Sequence, residues 1–138
     1  MITTPYATVL RIRRREVDDY GVAIAGAREQ LSLIEQAIAA RSEAQQREGR
    51  IGAADPLLVS HAYMSRLRRE RAELKRVEAE ADAALEALRA EAAEAVASLR
   101  ATEESAEQHA VEEGLVLGRK EQSEFDDIAA ARMLRARR

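Results

Sequence analysis

Apolar residues recur along this chain at alternating steps of three and four, in two long runs. In the first run, Leu10, Val17, Ile24, Leu31 and Ile38 fall on one line, with Tyr20, Ala27 and Ile34 on a second; Arg13 and Arg41 are its polar exceptions. In the second run, Met64, Leu85, Ala92, Leu99 and Ala106 form one line, and Leu67, Leu74, Ala81, Leu88 and Ala95 the other. Arg71 and Glu78 interrupt the first of these two lines. Alternating steps of this kind keep both lines on one stripe of a helix, which is the seam of a heptad repeat. Two helices are therefore predicted, over roughly residues 5–48 and 56–137, joined by a loop at about 49–55. The predicted fold class is all-α: a two-helix antiparallel coiled coil, or long α-hairpin, forming a single domain over residues 1–138 with the second helix longer than the first.

The punctuation of the chain supports this division. The two prolines, in Thr4-Pro5 and Asp55-Pro56, each read as an N-cap followed by a first helical position, where proline loses only an N–H that had no partner. Gly49 and Gly52 offer the left-handed freedom that ends helices. The second run is rich in Ala, Glu, Leu and Arg, all strong helix formers, and would extend roughly 120 Å if unbroken. After about His109 the stripe slips by one residue and continues through Ala110, Gly114, Leu117, Phe125 and Ile128. A slip changes the local supercoil, and with Gly114 and Gly118 at that point a bend or frayed joint is expected there.

A loop centred near residue 53 puts residue i roughly opposite 106 − i. Ile38 then lies near Leu67, and Leu31 near Leu74. Arg11, Arg13, Arg14 and Arg15 approach Glu91 and Glu94, while Glu29 and Glu35 approach the basic run of Arg66, Arg68, Arg69, Arg71, Lys75 and Arg76. Exposed pairs of this kind contribute about 0–1 kcal/mol each, so they orient the hairpin more than they stabilise it. Burial of the seam stabilises it more, by about 1.5–3 kcal/mol per fully buried large side chain. In this register the first helix covers the second only to about Arg100. Residues 101–138 are left without a partner, although they carry Val111, Leu115, Val116, Leu117, Phe125, Ile128 and Leu134. An uncovered apolar stripe seeks another surface.

Composition changes this picture only at its edges. Aromatic residues make up 3% of the chain and charged residues 34%, which suits a thin seam rather than a thick core. There is no cysteine, which removes disulfides, thiolate nucleophiles and Cys-based metal sites and is compatible with an intracellular setting. Residues 1–6 lack the basic start and apolar stretch of a signal peptide. No window approaches the apolar length of a membrane span. A formal net charge of −3 argues against a broad nucleic-acid footprint.

Candidate chemistry is sparse, which points away from an enzyme. Neither His61 nor His109 has a Glu three residues before it, so the Glu-x-x-His motif of metal-binding bundles is absent. His109 and Glu113, one turn apart, form either a weak metal pair or a solvated histidine at the seam's edge. No phosphate loop or nucleophile elbow occurs, so neither catalytic residues nor a cofactor is expected. The acidic stretch from Glu78 to Glu113 is either a solvated face or a surface for a basic partner. The basic runs at 11–15 and 66–76 could meet anionic lipid or nucleic acid, but opposite charges across the hairpin explain them as well. Tyr63 either caps the seam near the loop or forms a contact site. Phe125, the one phenylalanine, either packs in a homodimer or anchors a larger partner.

The stretch from Glu112-Glu113-Gly-Leu-Val-Leu-Gly through Arg119-Lys120-Glu121-Gln122-Ser-Glu124-Phe125-Asp126-Asp127-Ile-Ala-Ala resembles the end of the flagellar export protein FliJ family. Leu10-Arg-Ile-Arg-Arg-Arg-Glu16 is similar to that family's opening helix, and Tyr63-Met-Ser-Arg-Leu67 to the start of its second. The resemblance spans nearly the whole chain, with Gly114 and Gly118 as its points of departure. It implies a non-enzymatic antiparallel coiled coil, like the YscO-type proteins of injectisomes and akin to the central stalk of rotary ATPases. The implied partners are the hexameric export ATPase FliI, bound in its pore, and the export gate protein FlhA, with export chaperones as a further class. The implied location is cytoplasmic, peripheral at the inner face of the cell membrane. Carried onto this sequence, the resemblance makes Arg11, Arg13, Arg14, Arg119, Phe125 and Asp126 candidate ATPase contacts, and Tyr63 and Leu67 candidate gate contacts. The rival expectations are a homodimeric scaffold and a protein lying on a membrane surface through Arg11–Arg15 and the terminal arginines.

Overall fold

The structure is a computed structural model and describes residues 5–137. It is an all-α hairpin of two long helices packed against each other. Helix α1 spans Ala7–Ala54, a short 3-10 helix covers Pro56–Leu58, and helix α2 spans His61–Ala136. The first bond of α1 runs from the Leu10 N–H to the Tyr6 carbonyl, at 2.8 Å, so Pro5 stands just ahead of the helix. The proposed Thr4 cap lies outside the described residues.

The turn differs from the sequence reading, and the reason is local. Helix α1 passes through Gly49 and Gly52 with no left-handed residue and ends at Ala54. Proline, rather than glycine, stops it. A residue before proline is driven out of the helical region by the ring, and Asp55 accordingly adopts an extended φ of −149° and ψ of 104°. The Asp55 carboxylate then accepts a hydrogen bond from the Leu57 N–H at 3.0 Å, capping the 3-10 turn. Pro56 therefore opens this turn and not α2. The cap of α2 is Ser60, whose hydroxyl accepts from the Tyr63 N–H at 3.2 Å. The Ser60 N–H in turn donates to the Glu48 carboxylate at 3.1 Å, tying the end of one helix to the start of the other. Gly52 is needed for a different reason from the one its type suggests: a Cβ there would collide with Val59 Cγ2.

The chain's contacts fall into two compact units. The first, Arg15–Ala95, contains the turn and the central seam. Among the described residues its Ile38, Leu67, Leu85 and Ala95 are the buried hydrophobics. All four lie on the predicted seam lines, and the remaining seam positions are half-buried apart from Arg71. No buried side-chain polar atom lacks a partner among the described residues.

The second unit comprises Met1–Arg14 with Val96–Arg138. Here the start of α1 lies on α2 as far as His109. The Tyr6 and His109 rings meet at 5.5 Å between centroids, tilted by 57°. Leu99, Thr102, Ala106 and His109 are half-buried, whereas every described residue from 110 to 137 is exposed.

Helix α2 continues without a break through Gly114 and Gly118, so the expected frayed joint is not present. Glycine removes packing and adds entropy cost in a helix, yet good helix formers around it sustain the hydrogen-bond ladder. No helix among the described residues is long and apolar enough to cross a membrane.

Candidate protein-interaction site

The later turn moves the register. With α1 extended to Ala54, each of its residues meets a position further along α2 than a loop at 49–55 would allow. Within the unit Arg15–Ala95, Arg41 Nε lies 3.3 Å from Glu70 Oε2, and Tyr20 lies close enough to Glu91 for that carboxylate to act on its hydroxyl. In the second unit, Arg14 lies 3.9 Å from Glu103, not against Glu91 or Glu94. The α1 cover on α2 accordingly reaches His109, not Arg100, and the uncovered segment starts at Ala110.

The basic run also behaves differently from expectation. Arg66 pairs with Glu70, Lys75 with Glu78, and Arg76 with Glu73 and Glu80, all one turn away on the same helix. Helical neighbours at three and four residues are closer than any carboxylate on α1, so these cations do not reach Glu29 or Glu35. The Glu73 carboxyl is held below its ordinary range, first by its hydrogen bond from Arg76 and then by that residue's charge. The Arg76 guanidinium is shifted upward by the same contact. Tyr20 sits half-buried on the seam, and its hydroxyl is pushed up first by desolvation and then by the Glu91 and Glu16 carboxylates.

The candidate residues divide between the two units. Arg11, Arg13 and Arg14 lie on the opening turns of α1, and Arg119, Phe125 and Asp126 on the uncovered part of α2; all six belong to the second unit. Arg11 and Arg14 are exposed and Arg13 is half-buried. Phe125 is 69% exposed, and together with Val111, Leu115, Leu117 and Ile128 it leaves a broad apolar face on residues 110–137. The Asp126 carboxylate accepts a hydrogen bond from Gln122 Nε2 at 3.1 Å, which sets its rotamer along the helix.

Tyr63 and Leu67 sit at the first turns of α2, in the unit that contains the hairpin bend. Tyr63 is half-buried, with the Arg66 guanidinium 5.3 Å from its ring centroid. Leu67 is only 4% exposed, so it supports this surface from the seam and does not itself offer a contact face.

Two exposed residues beside them escape a heptad reading. Leu57 is 93% exposed on the 3-10 turn, with Leu58 next to it. Their signal in the sequence is a pair of leucines directly after Pro56 and outside any seam line.

No group of three or more His, Asp or Glu side chains close enough to share a metal occurs among the described residues. His109 Nε2 lies 3.8 Å from Glu113 Oε1 on the same helix, and its ring is engaged with Tyr6. What the arrangement can do is present surface: an exposed amphipathic helix at one place, and an aromatic with two leucines at the bend.

Comparison with curated proteins and with solved structures finds no match to this chain. A protein-family model does match, described as the flagellar FliJ protein, and the match runs over residues 2–138. A match of that extent takes in both helices, the turn between them and the uncovered end of α2. The chain is thus a member of the flagellar FliJ protein family, a coiled-coil protein related to flagellar export.

Proposed function

We propose that this chain is a non-enzymatic stalk and assembly factor of the flagellar type III export apparatus, seated in the pore of the hexameric ATPase FliI and linked to the gate protein FlhA. The observation that carries this reading is the family match over residues 2–138. The bare segment of α2 suggests where the ATPase contact lies. A helix that keeps Phe125 and Ile128 in water gains by entering a protein channel, where burial of each large apolar side chain contributes about 1.5–3 kcal/mol before ordering costs.

In this reading Arg11, Arg13 and Arg14 contact the ring from the start of α1, while Arg119, Phe125 and Asp126 contact it from α2. Tyr63, supported from beneath by Leu67, contacts the gate. ATP hydrolysis belongs to the ATPase. The stalk acts by binding one conformation of the ring's subunits more tightly than another, because only a difference in affinity shifts a conformational equilibrium. The working location is then cytoplasmic, at the inner face of the membrane.

The test is co-purification of the full chain with the hexameric export ATPase and with the gate protein, beside Phe125→Glu and Tyr63→Ala. Wild type is expected to bind both, Phe125→Glu to lose the ATPase, and Tyr63→Ala to keep the ATPase and lose the gate protein. A wild-type chain that binds neither protein ends the proposal.

A further inference from the structure

The uncovered part of α2 carries a second seam, distinct from the one that closes the hairpin. Val111, Leu115, Gly118, Gln122, Phe125 and Ala129 recur at alternating steps of four and three, and all six are exposed. Their spacing is that of a coiled-coil face, but α1 ends its cover before reaching them. We infer that this face pairs antiparallel with the same face of a second copy of the chain, burying Phe125 and flanked by Arg119 against the partner's Asp126.

Charge selects both the occupant and the direction. Arg119 and Asp126 occupy the same flank, each one residue after a seam position and seven residues apart. In an antiparallel pair whose twofold axis passes between Gln122 and Phe125, flanking positions of this kind face each other, and Arg119 meets the partner's Asp126 twice over. In a parallel pair the opposite flanks meet, which sets Glu121 against the partner's Asp126 and repels. The face is therefore complementary to itself in one orientation only.

Bulk follows the same axis. In the antiparallel arrangement Phe125 enters a space bounded by the partner's Gln122 and the partner's Gly118. Gly118 has no role within its own chain: its φ is not positive, and a Cβ built on it would meet nothing within 4 Å. Glycine weakens a helix relative to alanine, so its absence of side chain at the point where a partner's phenylalanine arrives is what gives it a use. The seam involves roughly ten residues per copy, fewer than the 20–30 of a standard interface, so the pairing is a small one in reversible exchange with the monomer. It does not rest on the ATPase reading. Because both use Phe125, a paired tail would be released before it entered a ring.

Sedimentation equilibrium of the full chain alone tests this, from about 5 to about 500 µM. Wild type should show a monomer–dimer equilibrium. Arg119→Glu and Asp126→Arg should each weaken it about tenfold, because like charges then meet twice. An equimolar mixture of the two variants should recover wild-type affinity, since each supplies the opposite charge to the other. That recovery separates loss of the intermolecular pair from loss of the bond between Gln122 and Asp126 within one helix. Helical circular dichroism of both variants should match wild type, as all these side chains are exposed. A chain that stays monomeric across the range, a variant that dimerises as tightly as wild type, or a mixture no tighter than its components overturns the proposal.

Discussion

Leu85→Ala is the perturbation that most directly probes the thin seam. Leu85 is 3% exposed, on α2 within the unit Arg15–Ala95. In thick cores, removing a buried leucine to alanine costs about 2–5 kcal/mol, combining lost transfer energy with the cavity left behind. Here the seam is one layer deep. The seam neighbours Ala81 and Leu88 are only half-buried, so they can relax and water can reach the gap. The expected loss is therefore near the low end, about 2–3 kcal/mol, and alanine's better helix propensity offsets only a few tenths of it. Leu33→Ala is the matched control: the same chemistry on α1 in the same unit, but at a residue 58% exposed. It should change stability by no more than about 0.5 kcal/mol. Urea unfolding followed by helical circular dichroism reads both values from the midpoints, with similar slopes for the two variants. If Leu33→Ala costs as much as Leu85→Ala, or Leu85→Ala costs less than about 1 kcal/mol, stability does not reside in the seam.

The remaining predictions concern the turn and one titrating group. Gly52→Ala should destabilise the hairpin by about 1–3 kcal/mol because the new methyl meets Val59, and Val59→Ala in the same chain should recover most of that loss, measured by the same unfolding assay. Ser60→Ala should cost about 1 kcal/mol by removing the N-cap of α2. Tyr20 has a folded-state pKa raised above its unfolded value, so its contribution is complete below about pH 10 and is lost as pH rises through the folded value. Alkaline unfolding should thus be less steep in Tyr20→Phe than in wild type, and the late component of tyrosinate absorbance should vanish; unchanged titration and stability profiles would contradict the role given to Glu91 beside it.

The seam was legible because heptad periodicity is written locally. Each of Leu10, Val17, Ile24, Leu31 and Ile38 is buried or half-buried, and so are the two lines on α2 from Met64 to Ala106, apart from Arg71. The partner of each residue was not legible in the same way, because register depends on where one turn falls. Gly49 and Gly52 looked like the end of α1, yet their freedom was unused, and the ring of Pro56 acting on Asp55 ended the helix instead. That difference of a few residues carried Arg14 to Glu103 and moved the start of the uncovered segment to Ala110. Among the candidate contacts, exposure of Phe125 followed from the unequal helices. The burial of Leu67 was already implied by its place on a seam line, and family likeness alone had cast it as a contact. A heptad pattern is blind to residues in a turn, so it does not single out Leu57 and Leu58.

If the bare end of α2 is the working surface, the most direct measurement is the turnover of the hexameric export ATPase as this 138-residue chain is added. Wild type should raise turnover to saturation, and Phe125→Glu, with its hairpin intact, should leave it at the unstimulated level. Equal stimulation by both chains, or none by wild type, would contradict the account.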